Sequence, residues 1–232
     1  MIWVEPGTFM MGSPESEEGR DTDETQHQVT LTQGFYLGKY EVTQAQYEAV
    51  MTGNTDGLSP TPSQWPDILN RRPVEKVSWR DIQIFLSRLN AQQSANIPAG
   101  WVYVLPTESQ WEYACRAGTT TRYSWGNNAK WDVSNYSDNF INQTLYVGRY
   151  AANPWGFFDM HGNVWEWVAD WYSSSYYGSN AVTDPTGPAS GFSRVVRGGS
   201  WQTPGTHLRS AERGGNPPGN RLNTHGFRVS SK

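Results

Sequence analysis

Gly156-Phe-Phe-Asp-Met-His-Gly-Asn-Val-Trp-Glu-Trp167 places four aromatic rings and two glycines in one short segment. The rest of the chain has the same character, with 12 Trp, 12 Tyr and 23 Gly among 232 residues. From Gly118 onward hydrophobic periodicity fades and Gly, Asn, Ser, Trp and Tyr predominate, which is typical of loops. Polar loops alone cannot offset the entropy lost on ordering them, so the rings must pack beneath them. The sequence therefore predicts a folded protein whose second half consists largely of ordered loops.

The first half carries clearer signals for strands and helices. Apolar and polar residues alternate over 28–32 and again over 34–38, which predicts strands with one buried face. Capping patterns that start helices occur at Thr43, Ser78 and Thr107. The helix after Ser78 has a regular apolar stripe made by Ile82, Phe85, Leu86 and Leu89. These patterns predict strands followed by helices in the first half of the chain.

Cys115 is the only cysteine, which excludes an internal disulfide and a thiolate metal cluster. It shares one face of the third predicted helix with Trp111 and Ala114, so we expect a buried, unreactive thiol. The prolines between Leu58 and Pro73 predict a surface excursion between helices, not a domain boundary.

The charge and hydropathy patterns exclude two classes of partner. A net charge of -4 provides no basic face for nucleic acid. No apolar run approaches the roughly 20 residues that span a bilayer, and Met1–Glu5 has no signal-peptide pattern. A soluble, cytoplasmic protein is favoured, while export or surface display stays open if an upstream segment is missing.

Seven ordered motifs across the chain resemble those of the formylglycine-generating-enzyme, or sulfatase-modifying-factor, family. They are Phe9-Met-Met-Gly-Ser13, Lys39-Tyr-Glu-Val-Thr43, Pro73-Val-Glu-Lys-Val-Ser-Trp79, Leu105-Pro-Thr-Glu-Ser-Gln-Trp-Glu-Tyr-Ala114, the segment 156–167, Arg197-Gly-Gly-Ser-Trp201 and Gly226-Phe-Arg228. The resemblance implies one irregular, loop-rich, C-type-lectin-like α+β domain over residues 1–232. It also implies a small twisted antiparallel sheet and two to three helices.

The chemistry implied by the resemblance is missing from this chain. Formylglycine-generating enzymes resemble copper-dependent oxidases in which two cysteines beyond the Gly-Gly-Ser motif hold the metal and the substrate thiol. Direct spacing puts Thr203 and Leu208 at those positions, and no cysteine follows Cys115. Cu(I) prefers thiolate ligands, so we expect no copper.

Two other metals follow from the resemblance. The related sulfoxide synthases use a three-histidine iron site, but none of the four histidines here is spaced as i, i+3 or i+4. Asn163, Val164 and Glu166 match family positions that resemble calcium ligands, which makes a structural Ca²⁺ one interpretation. The other is that Asn163 fills a turn while Glu166 pairs with a buried arginine such as Arg197 or Arg228.

The C-terminal segment is the expected place of function. The chain resembles the variable proteins of diversity-generating retroelements, which diversify their C-terminal residues on a lectin-like scaffold. That likeness implies that residues 197–229 are a variable ligand-binding region for a protein or other macromolecule. Three alternatives stay open, namely a diversified binder, a binder of fixed specificity, and an oxidoreductase of the same family acting on a thiol. The residues expected to bind are Trp201, Gln202, Thr203, His207, Arg213, Asn216, Asn220, Asn223 and His225.

Overall fold

Hydroxyl side chains start all three α-helices of the computed structural model, which describes residues 1–67 and 69–232. Thr43, Ser78 and Thr107 each accept a hydrogen bond from the backbone three residues on, and each forms the full capping box. The helices are α1 (Gln44–Met51), α2 (Trp79–Gln93) and α3 (Glu108–Arg116). The predicted helix starts are confirmed. None of these helices is both long and apolar enough to cross a membrane.

Ser78 provides a direct test of capping. Ser78→Ala is expected to lower the free energy of unfolding by about 1 kcal/mol, because the backbone N–H of Asp81 loses its acceptor. Urea unfolding followed by tryptophan fluorescence measures the change, with Ser175→Ala in an exposed turn as the control. Equal stability of the two variants would contradict the capping role.

The strands are short and form three small sheets among the described residues. They are β1 (Ile2–Val4), β2 (Gly7–Met11), β3 (His27–Leu31), β4 (Phe35–Leu37), β5 (Tyr103–Val104), β6 (Trp165–Trp171), β7 (Val182–Thr183), β8 (Arg194–Arg197), β9 (Arg213–Asn216), β10 (His225–Gly226) and β11 (Ser230–Ser231). Their orders are β1-β4-β11-β5, β10-β6-β8-β9 and β2-β3-β7.

The α+β prediction is confirmed, but the sheets differ from the single antiparallel sheet that was expected. The first sheet is antiparallel, whereas β10 runs parallel to β6 and β7 runs parallel to β3. The β6–β8 register also shifts between Trp167 and Trp171. The strands are short and the β6–β8 pairing is interrupted, and the strands form three small sheets where one was expected.

Strand β6 connects the two main hydrophobic clusters, because successive side chains point to opposite faces. Val168 packs in the cluster with α3 and β2–β4, while Trp167 packs with α1, α2 and Phe227. Cys115 is fully buried in the first cluster, and burial raises the pKa of its thiol to about 12. The expectation of a buried thiol is confirmed.

The 156–167 segment fastens the C-terminal segment to the core. Gly162 has φ +108°, and a Cβ there would lie 2.4 Å from the carbonyl oxygen of Asn135, so only glycine fits. Its N–H donates to the carbonyl of Gly198 at 2.8 Å, and the Asn163 carbonyl accepts from the Trp201 N–H at 2.9 Å. The backbone that enters the C-terminal segment is therefore held from beneath.

Buried arginines also attach the C-terminal segment to the rest of the protein. Arg197, Arg209, Arg213 and Arg228 come from the C-terminal segment, and all four are buried. Their carboxylate partners come from distant segments, including Glu112 for Arg197, Glu24 for Arg209, Glu108 for Arg213 and Glu166 for Arg228. Since an unpaired buried charge is costly, these pairs hold the segment in one position.

Candidate functional site

The structure divides the nine predicted binding residues into buried and accessible ones. Trp201, Arg213 and His225 are 8%, 8% and 4% exposed. Gln202 is exposed, and Thr203, His207, Asn216, Asn220 and Asn223 are partly exposed. The prediction was wrong in placing the three buried residues on an open surface. Arg213 faces inward from β9, where its guanidinium contacts Glu108 at 2.6 and 2.9 Å.

We define the C-terminal face as residues 201–203 and 216–223 together with Gln64 and Trp65. Its two segments meet through Trp201, whose indole N–H donates to the Asn223 carbonyl at 3.2 Å. The Trp201 ring also meets Trp65 edge-on, with ring centroids 5.9 Å apart. The side-chain amide of Asn223 donates to Gln64 Oε1 at 3.2 Å. Trp201 therefore supports the face from within.

The 216–223 segment is anchored to the start of α2. The Arg221 guanidinium contacts both Asp81 carboxylate oxygens, at 2.6 and 2.7 Å. The backbone N–H of Arg80 donates to the Pro218 carbonyl at 3.3 Å, and that of Lys76 donates to the Leu222 carbonyl at 3.0 Å. The exposed loop is thus attached at several points, which reduces the entropy it would lose on binding.

A chain of side-chain hydrogen bonds orders the amides of the face. Asn220 Nδ2 donates to Asn216 Oδ1 at 2.8 Å, and Asn216 Nδ2 donates to His225 Nε2 at 3.0 Å. His225 Nδ1 then donates to Thr224 Oγ1 at 3.0 Å. Burial lowers the pKa of His225 to about 4, so the ring is neutral at physiological pH and can accept from Asn216. His225 acts as an internal support of the face.

Gln64 and Trp65 belong to the face but were missed in the sequence. Their backbone N–H groups both donate to Glu75 Oε1, which lies in the interior. A large aromatic ring within a polar, proline-rich segment was the available signal, because such a ring needs a packing partner.

Glu75→Gln is expected to make stability less sensitive to pH. Burial raises the pKa of Glu75 from its ordinary 4.5 to about 7, so the folded state keeps a proton that the unfolded chain releases between these values. Wild-type stability therefore contains a contribution that is lost as the pH rises through this window. The glutamine variant should gain about 2–3 kcal/mol over the wild type between pH 4.5 and 8. Urea unfolding at both pH values measures this, and a pH-independent difference would contradict it.

Of the two remaining predicted residues, His207 contacts a residue outside the C-terminal face and Thr203 contacts the neighbouring Ser200. His207 Nδ1 lies 3.0 Å from Glu212 Oε1, and no hydrogen bond of the described residues joins its ring to the other predicted residues. Thr203 Oγ1 accepts from the Ser200 N–H at 3.0 Å and lies 2.9 Å from Ser200 Oγ. Thr203 thus shapes the turn that presents Gln202.

Two of the three expected calcium ligands, Asn163 and Glu166, have their side-chain oxygens engaged by protein groups. Both Glu166 oxygens contact Arg228 at 2.6 Å, and Oε2 also accepts from Trp111. Asn163 Oδ1 accepts from the N–H of Leu145 and the side chain of Asn135, and its amide nitrogen contacts Glu41. Ca²⁺ needs several free converging oxygens. The ion pair with Arg228, one of the two alternatives for Glu166, is what the structure shows.

The residues that direct spacing puts at the family's copper positions do not fit copper. Thr203 offers a hydroxyl and Leu208 is a fully buried hydrocarbon. Cys115 is the chain's one thiol and is buried between Met160 and His161, with Sγ 3.5 Å from His161 Nε2. Cu(I) needs accessible thiolate ligands. These residues therefore do not support a copper-dependent reaction step.

Comparisons with known proteins agree with the fold. A family model described as the sulfatase-modifying factor enzyme 1-like domain matches residues 1–232. The serine/threonine-protein kinase pkn1 of Chlamydia caviae is 32% identical over 99% of this chain, and this chain spans 37% of that protein's length. The formylglycine-generating enzyme of Streptomyces coelicolor is 34% identical over 71% of this chain and 55% of the enzyme.

A solved structure shows the same architecture. Treponema denticola variable protein 1 superposes with a TM-score of 0.85 at 27% identity, covering 99% of this chain and 94% of that one. The likeness therefore extends over nearly the whole of both chains.

Proposed function

The chain belongs to the family of sulfatase-modifying factor enzyme 1-like domains, with its C-type-lectin-like fold, and from this premise we propose that it is a non-catalytic ligand-binding protein. The C-terminal face binds a protein or another macromolecule. The positions that would hold the family's catalytic cysteines carry Thr203 and Leu208, so this family member keeps the scaffold without the thiolate chemistry.

One observation carries the proposal. Accessible side-chain amides lie on loops whose backbone is fixed by several contacts with the rest of the protein. Gln202 is exposed, and Asn220 and Asn223 are partly exposed. The Trp201–Trp65 contact lies within the same face, and buried arginine pairs hold the rest of the C-terminal segment. A surface that is ordered before binding loses less entropy on association, so modest polar contacts can give useful affinity.

The same arrangement supports variability of the face. Within a single domain over residues 1–232, residues 197–229 are the proposed region of variation, and the likeness to Treponema denticola variable protein 1 supports this. The side chains free to vary are the accessible ones, such as Gln202, Asn220 and Asn223. Trp201, Arg213 and His225 would stay constant because the frame depends on them.

An oxygen-consumption assay separates binding from the alternative function, an oxidoreductase acting on a thiol. The protein is titrated with Cu(I) under anaerobic conditions and then supplied with oxygen and a cysteine-containing sulfatase peptide. We expect no tight copper site and no oxygen uptake, because thiolate ligands are missing. The enzyme from Streptomyces coelicolor serves as the positive control. Turnover by this chain would overturn the non-catalytic assignment.

A further inference from the structure

A cluster of metal-type ligands lies where the segment between β2 and β3 meets residues 205–212. Asp21, His207 and Glu212 each offer one ligand atom, and these atoms all lie within 4.8 Å of one another. We propose that the three residues bind a divalent transition-metal ion such as Zn²⁺. The site is separate from the proposed C-terminal face, and its function does not depend on ligand binding there.

The donor set selects the class of ion. One imidazole nitrogen and two carboxylate oxygens suit Zn²⁺ and its neighbours in the first transition row. Ca²⁺ and Mg²⁺ prefer sites made of oxygen donors alone. Three protein donors complete a tetrahedral site with one water molecule.

Two of the donors are already close to the required separation. Glu212 Oε2 is held by Arg209 at 2.7 Å, which leaves Oε1 facing His207 Nδ1 at 3.0 Å. Two atoms bound at about 2.1 Å to a tetrahedral ion lie about 3.4 Å apart. The pair therefore needs to open by only about 0.4 Å, with the ion taking the place of a shared proton.

An ion can reach the cluster from solvent. The His207 side chain is 45% exposed, and Asp21 is exposed. Glu212 is buried, so one fixed carboxylate and two accessible ligands make up the site.

The charges around the cluster favour a cation. Arg209 contacts Glu17 at 2.9 Å, Glu24 at 2.6 Å and Glu212 at 2.7 Å, so one guanidinium serves three carboxylates. Asp21 adds a further negative charge beside them. A divalent ion would add positive charge next to these carboxylates.

A bound ion would join two segments nearly 190 residues apart in sequence. Asp21 lies in the loop before β3, while His207 and Glu212 precede β9. Because the ion binds only the folded arrangement, it stabilises that arrangement by mass action. The expected signature is a melting temperature that rises with Zn²⁺ concentration.

Calorimetric titration of the EDTA-treated protein with Zn²⁺ tests the site. The wild type should take up about one ion per chain, and Asp21→Asn and His207→Asn should each weaken the affinity at least about tenfold and remove the rise in melting temperature. Asp138→Asn removes an exposed carboxylate elsewhere and should bind Zn²⁺ as the wild type does. No uptake by the wild type, or uptake unaffected by both ligand substitutions, would overturn the proposal.

Discussion

Arg228→Met is expected to lower the free energy of unfolding by about 3–5 kcal/mol. Arg228 is fully buried, contacts both oxygens of Glu166 at 2.6 Å, and donates to the carbonyls of Gly38 and Phe158 at 2.9 Å each. Methionine fills a similar volume but leaves Glu166 as a buried charge without its cation. Urea unfolding monitored by tryptophan fluorescence measures the loss.

A pair of similar geometry whose arginine is half-exposed provides the matched control. Arg221 contacts Asp81 at 2.6 and 2.7 Å, but its side chain is 51% exposed. Loss of the half-exposed Arg221 side chain opens Asp81 to water, and Asp81 keeps its hydrogen bond from the Ser78 N–H, so Arg221→Met should cost markedly less than Arg228→Met. Equal losses from Arg228→Met and Arg221→Met would contradict the view that buried pairs hold the C-terminal segment. The double variant Arg228→Met/Glu166→Met should recover part of the loss, because it removes the unpaired Glu166 charge but leaves Trp111 Nε1 and the carbonyls of Gly38 and Phe158 without their partners.

The sequence could predict the helices because their start signals are local. A capping box needs only residues three apart, as at Thr43, Ser78 and Thr107. The number and direction of the sheets depend on long-range pairing, such as that of β10 with β6, and no short pattern encodes it. The three-sheet arrangement therefore had to come from the structure.

The candidate site was predicted in part for the same reason. Gln202, Asn220 and Asn223 are accessible, as expected for polar residues in loops. Arg213 looked equally exposed in sequence, but its partner Glu108 lies 105 residues earlier. A buried ion pair between residues distant in sequence cannot be recognised until the structure shows both partners. The contribution of Trp65 could not be predicted for the same reason, since more than half the chain separates it in sequence from Trp201.

Replacing Gln202, Asn220 and Asn223 together with alanine is expected to weaken ligand binding about 100-fold or more. Each amide contributes donors and acceptors at the surface, and losing about 1 kcal/mol at each of three contacts gives an effect of this size. The intramolecular bonds lost, such as that of Asn223 to Gln64, are near the surface and can be replaced by water. The free energy of unfolding should therefore change by less than about 1 kcal/mol.

The most direct test of binding through the C-terminal face uses a peptide selected against the wild-type protein from a random library. Its dissociation constant is measured for the wild type, for the triple alanine variant, and for a control with Gln33, Asn96 and Asn180 replaced by alanine. These control residues are exposed and match the test set in type. The peptide should bind the wild type and the control equally and lose its affinity for the folded triple variant. Undiminished binding to the triple variant would contradict the assignment of function to this face.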